Sequence, residues 1–90
     1  MRVRYLLSFD RTFASLQERD QGAVESAVSL LLGYFSGRPK PLGLGLRKLQ
    51  RGFWEVRASL DKRILFKLEA DLATFVVVGN HDEIRRILRG

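Results

Sequence analysis

Near the start of the chain Val3, Tyr5 and Leu7 alternate with Arg4, Leu6 and Ser8, the two-residue period of a short strand with one buried face. The period then lengthens. Asp10 is placed to cap a short helix carrying Phe13 and Leu16 on one side, and Asp20 to cap a second helix beginning near Gln21. In this second helix Val24, Ala27, Val28, Leu31, Tyr34 and Phe35 fall three and four apart as one stripe, and Gly37 stands where a left-handed C-cap would stop it. Such a stripe predicts a helix lying against a sheet. Arg38 to Leu46 holds both prolines, two glycines and no periodicity, so it reads as a loop crossing the surface.

Beyond the loop the period returns to two. Arg47 to Gln50, Phe53 to Leu60, Arg63 to Glu69 and Thr74 to Val78 read as hairpin-connected strands bounded by turn residues such as Gly52, Asp61 and Asp71. Trp54, Val56, Ala58 and Leu60 point one way, while Phe53, Glu55, Arg57 and Ser59 point the other. In the next strand Ile64, Phe66 and Leu68 oppose Arg63, Leu65 and Lys67. If the helices cover the Trp54/Ile64 face, then Arg57, Arg63 and Lys67 gather on the uncovered one. Asn80 to Leu88 reads as a short terminal helix with Ile84, Ile87 and Leu88 as its apolar side, and Asn80 and Glu83 have capping-box spacing. Helices and strands segregated in this order predict an α+β layer fold, with a curled antiparallel sheet of about four to five strands.

Ninety residues allow one core, so a single domain over residues 1–90 is expected. With 46% hydrophobic and 29% charged residues the chain belongs among packed globules. It contains no cysteine, which excludes disulfides, thiolate zinc sites and a cysteine nucleophile. The opening apolar run is too short for a signal peptide, and no segment reaches the roughly 20 apolar residues of a membrane span, so a cytoplasmic protein without a membrane partner is expected. Charge adds what the pattern does not show. Arg38 to Lys67 carries nine basic residues against Glu55 and Asp61, whereas residues 1–37 carry four of each sign and residues 68–90 three basic and four acidic. That positive third predicts a polyanionic partner.

Three features carry candidate chemistry. Arg57 and Arg63 flank a turn at Asp61 and Lys62, so their guanidiniums can converge to clamp a phosphate and stabilise the charge of a transferring phosphoryl group. The alternative is a solvated strand face with a salt bridge from Glu55 to an arginine. His81, the only histidine, follows a strand at the point where the last helix begins, a position suited to general acid or base work, although a lone histidine there is more often a capping or surface residue. Phe53 and Trp54 follow Arg51 and Gly52, an aromatic pair beside basic residues; Trp54 is the better core candidate, which leaves Phe53 to stack an unpaired base. No Walker loop, dinucleotide fingerprint or second histidine is present, so neither cofactor nor metal is expected.

Leu49-Gln-Arg-Gly-Phe-Trp-Glu-Val-Arg57, then Lys62-Arg63-Ile-Leu-Phe66, then Val76-Val-Val-Gly-Asn-His81-Asp-Glu83 together resemble the RelE/ParE superfamily of type II toxin–antitoxin toxins. The likeness spans nearly the whole chain and implies a RelE-like fold, a small sheet packed by an N-terminal helical pair. In the RelE branch it further implies a ribosome-dependent mRNA endonuclease that promotes attack of a ribose 2′-hydroxyl on the adjacent phosphate and so inhibits translation. By that resemblance Arg57 is a basic strand residue of the site, Arg63 the transition-state arginine, and His81 a proton donor to the leaving 5′-oxygen or a phosphate ligand. Lys48 and Arg51 become backbone contacts to RNA, with Phe53, Lys62, Lys67 and Arg85 completing the RNA-binding set. The implied partners are mRNA on the ribosome and a cognate antitoxin, acidic and partly disordered before binding.

The chain departs from the family pattern in two respects. Ile84 and Arg85 stand where many members carry a tyrosine, and Glu55 stands where the best-known member has a lysine. The general base is thereby left unassigned, since arginine stays protonated. Two other readings remain open: a ParE-like inhibitor of DNA gyrase that cleaves nothing, and an RNA-binding member whose chemistry has decayed.

Overall fold

The helical stripe and the alternating strands meet in one interior. A computed structural model describes all of residues 1–90, in the order β1 (Arg2–Tyr5), α1 (Leu7–Ala14), α2 (Glu18–Phe35), β2 (Leu46–Lys48), β3 (Phe53–Arg57), β4 (Arg63–Glu69), β5 (Leu72–Gly79) and α3 (His81–Arg89). The five strands form one open sheet in the order β1-β5-β4-β3-β2. The expected α+β architecture with an N-terminal helical pair and a C-terminal helix is the one observed. The sheet is not wholly antiparallel: β1 runs parallel to β5, because the chain returns to β1's side only after both helices and three hairpin strands.

Alternation decides the main core. From α2 come Val24, Ala27, Val28 and Leu31, and from the sheet Val56, Ile64, Phe66, Ala73, Phe75 and Val78, joined by Phe9 of α1 and Leu44 of the loop. On the opposite face Leu65, Val77 and Ile84 make a smaller cluster, with Phe53, Val76, Leu49 and Leu88 packed on it. The face that bears Arg57, Arg63 and Lys67 is therefore not open along its length, because α3 covers part of it. A bulge helps: Leu65 pairs with Val77 but Phe66 with Phe75, so Val76 is an extra residue and β5 changes its facing there.

Several expected boundaries shift. β1 ends at Tyr5, Leu7 and Ser8 belong to α1, and all four β1 residues are exposed, since an edge strand has one neighbour and little above it. Asp10 lies inside α1; its entry is held instead by Leu6 N–H donating to the Phe75 carbonyl at 3.0 Å and Ser8 Oγ donating to the Val76 carbonyl at 2.5 Å. α2 starts at Glu18 after Gln17, which leaves Asp20 in the first turn, where the helix dipole favours an acid. Gly37 does end it, at φ +103, with Arg38 N–H closing onto the Gly33 carbonyl at 3.0 Å. The β3–β4 connection is not a tight turn at Asp61 and Lys62 but a five-residue loop, residues 58–62, and Leu60 on it is exposed rather than in the core.

One tie holds β1 to the β4–β5 turn. Arg2 donates through Nε and Nη2 to Asp71 Oδ1 at 3.1 and 2.9 Å, and these hydrogen bonds hold the Asp71 carboxyl below its ordinary range. α3 starts with a complete capping box, Glu83 N–H donating to Asn80 Oδ1 and Asn80 N–H to Glu83 Oε1, both at 2.8 Å. Replacing Asn80 with alanine removes one acceptor from the first turn and is expected to lower stability by about 1 kcal/mol in urea unfolding. At its other end, Gln50 and Arg51 of the β2–β3 turn both donate to the Leu88 carbonyl, which clasps the last turn of α3 to the sheet.

Candidate nucleic-acid interface

Sheet register brings the cations together. Arg57 and Arg63 are direct cross-strand partners on β3 and β4, and Arg47 on β2 lies directly opposite Glu55 on β3. Glu55 is the single buried charged residue, 3% exposed. Arg63 Nη1 donates to both its oxygens, at 3.1 and 3.3 Å, and Arg47 Nε stands 3.8 Å away. Like charges facing each other across a strand pair repel, and the carboxylate diagonal to Arg63 offsets that repulsion. The alternative raised from sequence, a Glu55 salt bridge to an arginine, is thus the observed state of Arg63.

Three concavities share these residues. One of about 410 Å³ lies between the Gly43–Gly45 loop and Arg47, Glu55, Arg57 and Arg63. A second, about 330 Å³, is lined by Arg63, Asn80, His81 and Asp82 with Leu60 and Asp61. The third, about 590 Å³, runs along α3 between Arg47, Lys48 and Glu55 on one side and His81, Arg85 and Arg89 on the other. Arg63 joins the first to the second, His81 the second to the third, and Glu55 with Arg47 the third to the first. Together they make a basic cleft around the lip of β3. Gly45 sets the floor near Arg57: its φ is +59, and a Cβ there would sit 3.0 Å from Arg57 Cβ, so a side chain would be both strained and obstructed.

Of the residues singled out from sequence, Arg57, Arg63, His81, Lys48 and Arg85 line this cleft. His81 is half-buried at the first position of α3, and Arg85 Nη1 stands 3.5 Å from its Nε2 one turn later. The other residues are engaged elsewhere. Arg51 sits in left-handed backbone at φ 56 and donates to the Leu88 carbonyl. Lys62 pairs with Asp61 at 3.7 Å. Phe53 packs into the smaller core under Lys67, whose Nζ is 5.5 Å from the ring centroid, so Phe53 is not a free stacking platform and Lys67 caps it. Arg47 was not among the site residues expected from sequence, and Glu55 was expected only as a departure from a pattern or as one side of a surface salt bridge. Their signal was present in the alternation, which put Glu55 on the same face as Arg57, but the register that sets Arg47 opposite it could not be read from one strand.

Searched by sequence, the chain matches no protein-family model and no curated protein. Solved structures do match. YafQ from E. coli strain BL21(DE3) superposes with a TM-score of 0.76 at 21% identity, covering 93% of this chain and 98% of that one. A chain of the E. coli DinJ–YafQ toxin–antitoxin complex gives 0.74 at 21%, covering 91% and 93%. A chain of the RelB–RelE antitoxin–toxin complex from Methanococcus jannaschii gives 0.71 at 13%, covering 93% and 96%. The architecture is therefore the RelE-like toxin fold. The neighbours that share it are RelE-, YafQ- and YoeB/ParE-type toxins.

Proposed function

We propose that this protein is the toxin of a toxin–antitoxin pair and an endoribonuclease that cuts mRNA on the ribosome. The observation that carries the reading is the joining of Arg57, Arg63 and His81 by one cleft at the sheet's lip. In the proposed step the ribose 2′-hydroxyl loses its proton to solvent water and its oxygen attacks the adjacent phosphorus while the bond to the 5′-oxygen breaks, giving a 2′,3′-cyclic phosphate and, once that oxygen is protonated, a 5′-hydroxyl. Arg57 and Arg63 stabilise the charge gathered on the phosphoryl oxygens. His81 gives a proton to the leaving 5′-oxygen. Lys48, Arg47 and Arg85 hold the flanking backbone, a contact that weakens with salt. An acidic antitoxin segment, partly disordered before binding, suits a surface with nine basic residues against two acidic ones in one third of the chain. That solved complexes of this fold pair DinJ with YafQ and RelB with RelE supports such a partner.

Purified protein added to ribosomes programmed with a defined message is expected to create new 5′ ends within codons in the A site, and none on the free message. Replacing His81 with alanine should reduce the cleavage rate by about 10²–10⁴-fold. Arrest of translation with uncut message would sink the nuclease reading, and inhibition of DNA gyrase in its place would establish the ParE-like one.

A further inference from the structure

Glu55 is out of place for a phosphate-binding surface. Acids elsewhere in the chain sit outside the core, yet this one is 3% exposed and lies among Arg47, Arg57 and Arg63, where its charge opposes the attraction of RNA. What the carboxylate does to Arg63 gives a physical account of its place there. Both oxygens accept from Nη1, while Nε and Nη2 make no hydrogen bond within the protein although the side chain borders two of the concavities. An arginine on a strand end has four rotatable bonds, and a buried, doubly accepting partner removes most of that freedom before any substrate arrives.

Building on the nuclease reading, we propose that Glu55 is a positioning residue: its buried carboxylate holds the Arg63 guanidinium by Nη1 and leaves the remaining donors directed to the phosphoryl oxygens. Glu55 touches neither RNA nor the reacting atoms. Its effect on rate comes through the geometry of Arg63, and misplacement of such a group by about 1 Å is enough to cost about 100-fold. The exchange is specific: some electrostatic affinity for RNA is given up for an arginine already in place.

The consequence is a split that a purely structural ion pair would not produce. Glu55→Gln keeps the shape and one acceptor but removes the charge, so binding of a short single-stranded RNA should be unchanged or tighter while single-turnover cleavage of ribosome-bound message falls about 10- to 100-fold. Glu55→Asp keeps the charge but withdraws the carboxylate by one methylene, and should also cut slowly with RNA affinity unchanged. Glu69→Gln, the same charge change on an exposed acid at the far end of β4, should alter neither quantity. A further readout does not depend on cleavage. The Arg63 guanidinium protons should give separate, slowly exchanging NMR signals in the unsubstituted protein and averaged ones in Glu55→Gln, with the backbone spectrum otherwise preserved. Should Glu55→Gln fail to fold, Glu55→Asp decides. Cleavage at the original rate in either folded variant, parallel loss of binding and cleavage, or averaged Arg63 signals in the unsubstituted protein each overturns the proposal. If the unsubstituted protein cuts nothing on ribosomes, the nuclease reading falls, and this proposal falls with it even where separate Arg63 signals show that the contact exists.

Discussion

Replacing Phe66 with alanine is expected to lower the free energy of unfolding by about 3–5 kcal/mol. The ring is fully buried at the middle of β4 and meets three aromatic neighbours, Phe75 at 5.6 Å, Phe35 at 6.1 Å and Trp54 at 6.5 Å between centroids. Each comes from a different element, α2 for Phe35, β3 for Trp54 and β5 for Phe75, so no single side chain can swing in to fill the space. A domain of this size has about 5–13 kcal/mol in total. At the low end of that range the loss brings the variant to its unfolding midpoint, and throughout it the loss is read as a lower urea midpoint at unchanged slope. A shift under 1 kcal/mol would mean that α2 is not packed on the sheet as described.

The elements that could be read from sequence are those whose pattern is local. The α2 stripe needed only its own three-and-four spacing, and each of β3 and β4 announced its two faces through its own alternation. What could not be read depended on partners. β1 alternates like a half-buried strand, but its exposure is set by its place at the sheet edge beside β5, seventy residues away in register. Val76, Val77 and Val78 look like a uniform run, and only pairing with β4 reveals the bulge that keeps Phe75 and Val78 in one core and puts the neighbours Val76 and Val77 together on the other. The site divides in the same way. Arg57 and Arg63 were visible as strand positions and His81 as the residue after a strand, whereas the role of Glu55 required β2, β3 and β4 in register at once. Arg51 was expected as an RNA backbone contact from the family resemblance and Phe53 as a stacking platform from its basic neighbours; the packing of α3 claims both.

On the proposed nuclease reading, replacing Arg63 with alanine is expected to abolish detectable cleavage, a loss of at least about 100- to 1000-fold for a group that would stabilise transition-state charge. It is not expected to leave the fold untouched. An exposed arginine could be removed without structural consequence, but the Arg63 side chain is 21% exposed and is the close partner of the buried Glu55. Truncation leaves Glu55 buried with Arg47 as its one remaining ion-pair partner, at 3.8 Å and itself 64% exposed. Uncompensated buried charges of this kind cost about 3–5 kcal/mol, and the discount for Arg47 and for water reaching the vacated space brings the expected loss to about 2–3 kcal/mol. Loss of cleavage in Arg63→Ala alone therefore mixes chemistry with folding. The Glu55→Gln, Arg63→Ala double variant separates them, because it removes the stranded charge together with its partner: urea unfolding should return most of the lost stability while cleavage stays absent. Recovery of cleavage along with stability would show that Arg63 serves the fold alone and that the phosphate is held by Arg57 without it.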